Sequence, residues 1–179
     1  TIDVESEPGQ GSCFEVFMDL KIAEERSVSP ASQTETEEQD GNILKGMRFL
    51  CAEDNELNAE ILTELLKIEG AECTICENGK RVLETFEQSV PGDYDMILMD
   101  VQMPVMNGYE ATKAIRRSSH ELAKTIPIIA MTANAFSEDI QHSFAAGMNA
   151  HVSKPVEMKV LEKTIRSIKT GGGGRNSRH

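Results

Sequence analysis

The sequence has no tryptophan, and aromatic residues of all kinds make up 4% of its 179 residues. It also lacks a basic stripe interleaved with aromatic side chains, which is the usual footprint of a nucleic-acid-binding surface. The net charge is −12, and residues 1–41 carry eleven acidic side chains against Lys21 and Arg26. Because a phosphate backbone repels such a chain, direct binding to nucleic acid is not expected.

No run of eighteen apolar residues occurs, so we expect neither a membrane-spanning helix nor membrane contact by this stretch. The start at Thr1 shows neither the basic nor the apolar segment of a signal peptide. A chain that begins without methionine and in mid-pattern is interpreted as a piece of something longer. The expected location is the cytoplasm, with anchoring of a parent chain in an inner membrane left open.

The four cysteines do not favour a thiolate metal site. Cys73 and Cys76 form a C-x-x-C pair, but a strand predicted over residues 72–76 places residues three apart on opposite faces. Such a pair cannot ligate one metal ion, and no second pair follows it. Buried thiols in a reducing compartment are the favoured interpretation.

Composition divides the chain into four segments. Residues 1–21 alternate like a strand, whereas residues 22–44 are acidic with few apolar side chains and are predicted to be a flexible linker. Residues 45–170 alternate apolar strand patterns with amphipathic helix patterns and are expected to form the compact unit. Residues 171–179 are four glycines and a polar tail, for which we expect disorder.

Five strands and five helices are predicted in alternation within the compact unit. The predicted strands are residues 47–52, 72–76, 94–100, 126–132 and 150–153. The predicted helices run from 57 to 70 and over 79–88, 108–120, 137–146 and 158–169. Apolar strands that alternate with helices indicate a parallel sheet covered on both faces, a doubly wound α/β fold.

Reactive polar residues follow the strands at the edge where a doubly wound sheet binds its ligand. Glu53 and Asp54 follow the first strand, Asp100 closes the third, Thr132 closes the fourth, and Lys154 follows the fifth. Carboxylates brought together repel each other unless a cation joins them, and an all-oxygen ligand set suits Mg²⁺. A lysine and a hydroxyl beside such a metal indicate a phosphoryl-transfer site with a carboxylate nucleophile.

Four motifs spread over residues 46–169 resemble the receiver domain of two-component response regulators. The motifs are Glu53-Asp54, residues 99–104 with Asn107-Gly108, residues 131–133 and residues 153–155. The resemblance implies a flavodoxin-like fold, a five-stranded parallel sheet in the order 2-1-3-4-5 with five helices.

The resemblance also implies a role for each residue of the strand ends. Asp100 would be the phosphoacceptor, and Thr132 and Lys154 would contact the phosphoryl group. The implied Mg²⁺ ligands are Glu53, directly or through water, Asp54, Asp100 and the backbone carbonyl of Gln102. Glu53 stands where the family more commonly has aspartate.

Two further implied roles concern regulation. Thr132 and His151 would be switch residues, although His151 stands where the family usually carries an aromatic side chain, three residues before the lysine. Gln102 and Asn134 occupy positions implied to tune dephosphorylation.

A second resemblance concerns the start of the chain. Residues 6–14, with Gly9 and Gly11 before alternating apolar residues, resemble the last glycine motif and final strand of histidine-kinase ATPase domains. With the linker and receiver that follow, this order implies the C-terminal end of a hybrid sensor histidine kinase. The implied partners are the phosphodonor domain of the same parent chain and a histidine-containing phosphotransfer protein. The fragment lacks the catalytic body of a kinase, and would support only its own aspartyl phosphorylation and dephosphorylation.

Other interpretations stay open. A free-standing response regulator, a non-phosphorylated interaction module and an acid-nucleophile hydrolase are the alternatives, although a hydrolase usually has a second acid where Gln102 stands. Acids at strand ends also commonly cap the next helix, as Asp54 or Asn55 could. His120 imitates a phosphoacceptor histidine box, but it follows the ATPase-like segment and is taken as a chance match.

Overall fold

The computed structural model describes residues 2–7, 11–16, 42–133 and 137–171. The chain divides into two compact units, Thr1–Gln39 and Asp40–His179. Most of the predicted linker (residues 22–41), Asn134 and the tail from residue 172 lie outside the described residues. None of the helices in the described ranges combines the length and the apolarity that crossing a membrane requires.

The first unit contains an antiparallel hairpin of two strands, β1 (Ile2–Glu7) and β2 (Gly11–Val16). Its register pairs Ile2 with Val16 and Glu7 with Gly11. Gly11 has a φ of +103°, a conformation that glycine adopts without a steric penalty. The alternation around residue 14 predicts a strand, which β2 confirms, but it does not reveal the pairing with β1.

The second unit alternates five strands with five helices. The strands are β3 (Arg48–Ala52), β4 (Glu72–Cys76), β5 (Met96–Asp100), β6 (Ile128–Thr132) and β7 (Ala150–Ser153). The helices are α1 (Glu56–Ile68), α2 (Gly79–Gln88), α3 (Gly108–Arg117), α4 (Ser137–Ala146) and α5 (Met158–Gly171). All strand pairs are parallel in the order β4-β3-β5-β6-β7, which is 2-1-3-4-5 within the unit. The predicted doubly wound fold is confirmed.

Alternate residues of the central strands face two separate cores. Leu50 and Ile97 face one core with Phe86 of α2, whereas Phe49 and Leu98 face the other with residues of α1 and α5. All five residues of β5 and of β6 are buried, which explains why these strands are apolar without alternation. The two cores fix the sheet from both sides and leave its carboxyl edge as the place for polar groups.

The cysteines lie as the strand pattern predicts. Cys73 faces the core that contains α1, and Cys76 faces the opposite core. Cys51 is buried, and all three thiols are free. The C-x-x-C pair therefore cannot close on one metal ion.

Five predicted boundaries are wrong by two or three residues, including the ends of α1 at Ile68 and of α5 at Gly171. β5 and β6 begin two residues later than expected, where Pro127, which has no N–H group, precedes the first residue of β6. The helix expected to reach residue 120 ends at Arg117, because Ser118 turns to an extended ψ of 164°. His120 instead packs its ring against Phe86 at a centroid distance of 4.3 Å.

Gly108, the first residue of α3, lies against the end of β5. A Cβ atom at this position would lie 2.2 Å from the carbonyl oxygen of Asp100 and 2.9 Å from Cγ of Met99. The backbone N–H of Gly108 donates to the carbonyl oxygen of Val101 at 3.0 Å. Only glycine permits this approach, and the approach fixes α3 beside Asp100.

We expect Gly108→Ala to lower the free energy of unfolding by about 2 kcal/mol through overpacking, even though alanine is the better helix former. Urea unfolding checks this. Gly92→Ala is the matched control, because a Cβ atom there meets nothing within 4 Å and only its φ of +102° opposes the change. A smaller loss for Gly108→Ala than for Gly92→Ala would contradict the close approach.

Candidate phosphoryl and metal site

The carboxyl edge of the parallel sheet brings together residues that are far apart in the sequence. Asp100 and Thr132 are the last residues of β5 and β6. Glu53 and Asp54 follow β3, and Lys154 follows β7. The backbone N–H of Lys154 donates to the carbonyl oxygen of Thr132 at 2.8 Å, which continues the pairing of β6 and β7 beyond its last residue. The convergence predicted from the strand ends is therefore present.

Asp100 is buried, with 4% of its surface exposed, and both of its carboxylate oxygens accept hydrogen bonds. Oδ1 accepts from the backbone N–H of Gln102 at 3.1 Å. Oδ2 accepts from Nζ of Lys154 at 2.7 Å. These contacts hold the carboxylate in one orientation at the end of the central strand.

Lys154 joins two of the acids. Its Nζ lies 2.5 Å from Oε2 of Glu53 and 2.7 Å from Oδ2 of Asp100. Burial disfavours the charged ammonium, but the hydrogen bonds and negative charges of Asp100 and Glu53 outweigh that effect and raise the pKa of Lys154. The ammonium is thus stable between two carboxylates that would otherwise repel each other.

Three carboxylates form a cluster with the geometry of a cation site. Glu53, Asp54 and Asp100 each have a carboxylate oxygen within 4.8 Å of those of the other two. Glu53 and Asp100 are buried, and Asp54 is exposed. An all-oxygen set of this kind suits a hard divalent cation such as Mg²⁺, which keeps several of its waters.

A cavity of about 400 Å³ opens beside this cluster. Asp54 and Gln102 line it together with Asn107 and Tyr109 at the start of α3. Gln102 therefore borders the same opening as Asp54, and the family resemblance implies that its backbone carbonyl is a ligand there.

Three of the helices that start at this edge are capped by asparagine rather than by the acids. Asn55 caps α1, Asn78 caps α2 and Asn107 caps α3, and the side chain of each accepts a backbone N–H from the first turn. Asparagine is among the preferred residues for this position. Because Asn55 caps α1, the carboxylate of Asp54 is left for the cluster.

Asn58 is a contact of the site that the sequence analysis misses. Its Nδ2 donates to Oε1 of Glu53 at 3.1 Å, and the backbone N–H of Asn55 reaches the same oxygen at 3.4 Å. The signal in the sequence is an asparagine in the first turn of a helix that is already capped. That pattern alone does not show which way the amide points.

The predicted switch residues lie on neighbouring strands. Thr132 is buried at the end of β6. His151 is half-buried on β7, beside Ala130 of β6, and lines a separate cavity of about 880 Å³ with Phe144 and Lys163. Asn134 lies outside the described residues.

Burial raises the pKa of Asp100 above its ordinary value. The hydrogen bond and charge of Lys154 and the N–H of Gln102 oppose this rise, while the nearby Glu53 adds to it. The folded chain therefore binds a proton at Asp100 more readily than the unfolded chain does. The contribution of Asp100 to the free energy of unfolding is fully present below its pKa in the unfolded chain. It is lost as pH rises through its higher pKa in the folded chain.

Without divalent cations, Asp100→Asn should therefore unfold at a higher urea concentration than the wild type near neutral pH. The difference between the two urea midpoints should grow as pH rises from about 4, close to the ordinary pKa of aspartate, because only the wild type loses the contribution of a protonated Asp100 over that range. Urea titrations in EDTA at several pH values measure it. A difference that shrinks as pH rises would mean that the pKa of Asp100 is lowered rather than raised.

The sequence profile of the response regulator receiver domain matches residues 49–166. The hybrid signal transduction histidine kinase I of Dictyostelium discoideum is 37% identical over 129 residues, which are 71% of this chain and 7% of that protein. Histidine kinase 1 of Arabidopsis thaliana is 34% identical over 155 residues, and the match covers 70% of this chain and 13% of that protein. The chain thus spans a small fraction of the length of these curated relatives.

Solved structures with the same fold include receiver domains of histidine kinases. The receiver domain of sensor histidine kinase PA1611 from Pseudomonas aeruginosa, solved with a coordinated magnesium ion, is 34% identical with a TM-score of 0.60, covering 69% of this chain and 98% of that chain. The receiver domain of histidine kinase CKI1 from Arabidopsis thaliana, solved with Mg²⁺ and BeF₃⁻, is 32% identical with a TM-score of 0.62, covering 74% and 95%. Together with the profile match and the geometry of the sheet edge, these likenesses show that the chain belongs to the response regulator receiver domain family.

Proposed function

We propose that residues 45–170 are a phosphoacceptor domain in which Asp100 receives a phosphoryl group and passes it on. The observation that carries the proposal is the position of Lys154, whose ammonium bridges Glu53 and Asp100 at 2.5 and 2.7 Å. A carboxylate held beside a lysine and two further acids can attack phosphorus, because cations at the site offset the negative charge of both reactants.

Mg²⁺ is the proposed cofactor, and the residues present fit it. Asp54 and Asp100 would bind it, Glu53 would bind directly or through water, and the backbone carbonyl of Gln102 would complete the protein ligands. When bound, the cation neutralises charge on the carboxylates and on the oxygens of the incoming phosphoryl group.

The transfer itself follows from the groups around Asp100. One carboxylate oxygen of Asp100 forms a bond to phosphorus while the bond from phosphorus to the donor nitrogen of a kinase histidine breaks. The electron pair of that bond returns to the imidazole. Lys154 and the hydroxyl of Thr132 would contact oxygens of the transferred group, and the reverse reaction delivers it to the histidine of the next protein.

Regulation is proposed to pass through Thr132 and His151. Contact between the phosphoryl group and Thr132 would favour a second conformation of the surface formed by α4, β7 and α5, as a shift in population between two states. Gln102 and Asn134 are proposed to affect how long the phosphoryl group persists.

The chain is further proposed to be the C-terminal part of a hybrid histidine kinase. One of the curated relatives described above is a hybrid kinase, and residues 1–21 resemble the end of a kinase ATPase domain. The proposed donor is the kinase domain of the same parent chain, and the proposed acceptor is a histidine-containing phosphotransfer protein. A structure of the receiver domain of yeast Ssk1 with the phosphotransfer protein Ypd1 shares the fold at 26% identity and a TM-score of 0.61, covering 74% of this chain and 94% of that one. The parent chain is proposed to work in the cytoplasm or at an inner membrane.

Incubation with acetyl phosphate and Mg²⁺ should add the mass of one phosphoryl group to the intact chain. The adduct should be absent with EDTA and absent in Asp100→Asn, because each removes a part of the site. Intact-mass spectrometry measures it. Absence of an adduct in a wild-type chain that also fails to bind Mg²⁺ would favour a non-phosphorylated interaction module, and sustained turnover of a phosphate ester would favour a hydrolase.

Asp54→Ala and Lys154→Ala should separate metal binding from phosphoryl binding. Asp54→Ala should abolish saturable Mg²⁺ binding because it removes a carboxylate ligand. Lys154→Ala should leave Mg²⁺ binding largely intact but slow adduct formation by about a hundredfold or more, the usual effect of losing an oriented charge at a transfer site. Equal losses of Mg²⁺ affinity in the two variants, measured by titration, would contradict this division of roles.

A further inference from the structure

The carboxylate of Glu53 is held from two directions, one for each oxygen. Oε1 accepts from Nδ2 of Asn58 at 3.1 Å and is 3.4 Å from the backbone nitrogen of Asn55. Oε2 is 2.5 Å from Nζ of Lys154. Only 3% of the surface of Glu53 is exposed, so these contacts take the place of water around both oxygens.

The two directions differ in rigidity. Asn55 and Asn58 belong to the start of α1, and the backbone N–H of Asn58 donates to Oδ1 of Asn55 at 3.0 Å, which fixes this turn. Lys154 reaches Oε2 through a flexible four-carbon stem. The hydrogen bond to Oε1 therefore moves only with the helix, whereas the ammonium at Oε2 can be replaced by another cation.

A divalent cation that binds Glu53 directly would have to take Oε2, which Lys154 now holds, because Oε1 already accepts from Asn58. The two positive charges would repel each other at that distance and compete for Oε2. The cation can replace the ammonium at Oε2 without a rearrangement of the carboxylate only if Oε1 keeps its position.

We propose that Asn58 is a positioning residue of the cation site: it anchors Oε1 of Glu53 to α1, so that Oε2 is exchanged between Lys154 in the metal-free chain and the divalent cation in the loaded one. This inference rests on the proposed function, because it takes a cation to bind at the cluster. It adds a residue with no ligand atom in the cluster, whose effect acts through Glu53.

The effect of removing Asn58 on cation binding depends on Lys154. Without the amide of Asn58, Glu53 is free to rotate and to present both oxygens to the ammonium. The ion pair between Glu53 and Lys154 in the metal-free chain then becomes stronger, and the cation has to displace a more tightly held ammonium. Loss of Asn58 should therefore weaken cation binding when Lys154 is present and have little effect when Lys154 is absent. A role confined to starting α1 would weaken cation binding equally in both cases.

The test is a double-mutant cycle read by Mg²⁺ titration of the isotope-labelled full chain, followed by backbone amide shifts. The four chains are the wild type, Asn58→Ala, Lys154→Ala and the double variant. Asn58→Ala should raise the Mg²⁺ dissociation constant about fivefold, the equivalent of one ordinary hydrogen bond. In the Lys154→Ala background, the same change should have an effect of less than about twofold.

Arg81→Ala is the matched control. Arg81 occupies the same place in α2 that Asn58 occupies in α1, and its backbone N–H donates to the capping Asn78 at 3.0 Å. Its side chain, however, pairs with Glu84 on the surface. Arg81→Ala should leave Mg²⁺ affinity unchanged. Asn58→Leu, which removes the amide while favouring the helix, replaces Asn58→Ala if that variant does not fold.

The outcomes separate this inference from the proposed function. Failure of the wild type to bind Mg²⁺ saturably would overturn both. Saturable binding by the wild type with equal losses on removing Asn58 in the two Lys154 backgrounds would overturn the positioning role alone. An unchanged affinity in Asn58→Ala, or an equal loss in Arg81→Ala, would also overturn it.

Discussion

The ammonium of Lys154 is the contact on which the carboxyl edge of the sheet depends. It lies 2.5 Å from Glu53 and 2.7 Å from Asp100, two buried acids that follow or end neighbouring strands. Two carboxylates this close repel each other, and one would tend to take up a proton if no cation stood between them. Because Lys154 follows β7, two strands away from β5, its contacts also connect the ends of β3, β5 and β7 across the sheet.

The local structure around Lys154 keeps the acids available for this arrangement. Backbone N–H groups at the start of a helix need acceptors, and aspartate is a common choice. Here Asn55, Asn78 and Asn107 fill that role for α1, α2 and α3. Because these caps are neutral asparagines, the carboxylates of Asp54 and Asp100 are not used to cap a helix. The partial positive charge at the start of α1 also favours the carboxylate of Glu53 beside it.

The fold could be predicted, as could the convergence of Glu53, Asp54, Asp100 and Lys154, because both follow from simple periodic rules. Strands that are apolar on both faces and alternate with helices have few alternatives to a doubly wound sheet, and polar residues at the ends of parallel strands must meet. Boundaries were less predictable, since the turn at Ser118 and the late starts of β5 and β6 depend on single backbone conformations. The β1–β2 pairing was also missed, because alternation identifies a strand but not its partner.

The role of Asn58 could not be predicted for a different reason: the direction of an exposed amide in a first helical turn is set by what lies across from it in space. Glu53 is adjacent to the helix in sequence, but its side chain is turned by Lys154, which is remote in the sequence. The charge balance then indicates what the edge still lacks. With all three carboxyl groups ionised, Glu53, Asp54 and Asp100 carry three negative charges against one from Lys154. The remainder equals the charge of one divalent cation, and the burial of Glu53 and Asp100 makes that excess charge costly until a cation binds. The same imbalance that makes the metal-free edge unfavourable is therefore the source of its affinity for a cation.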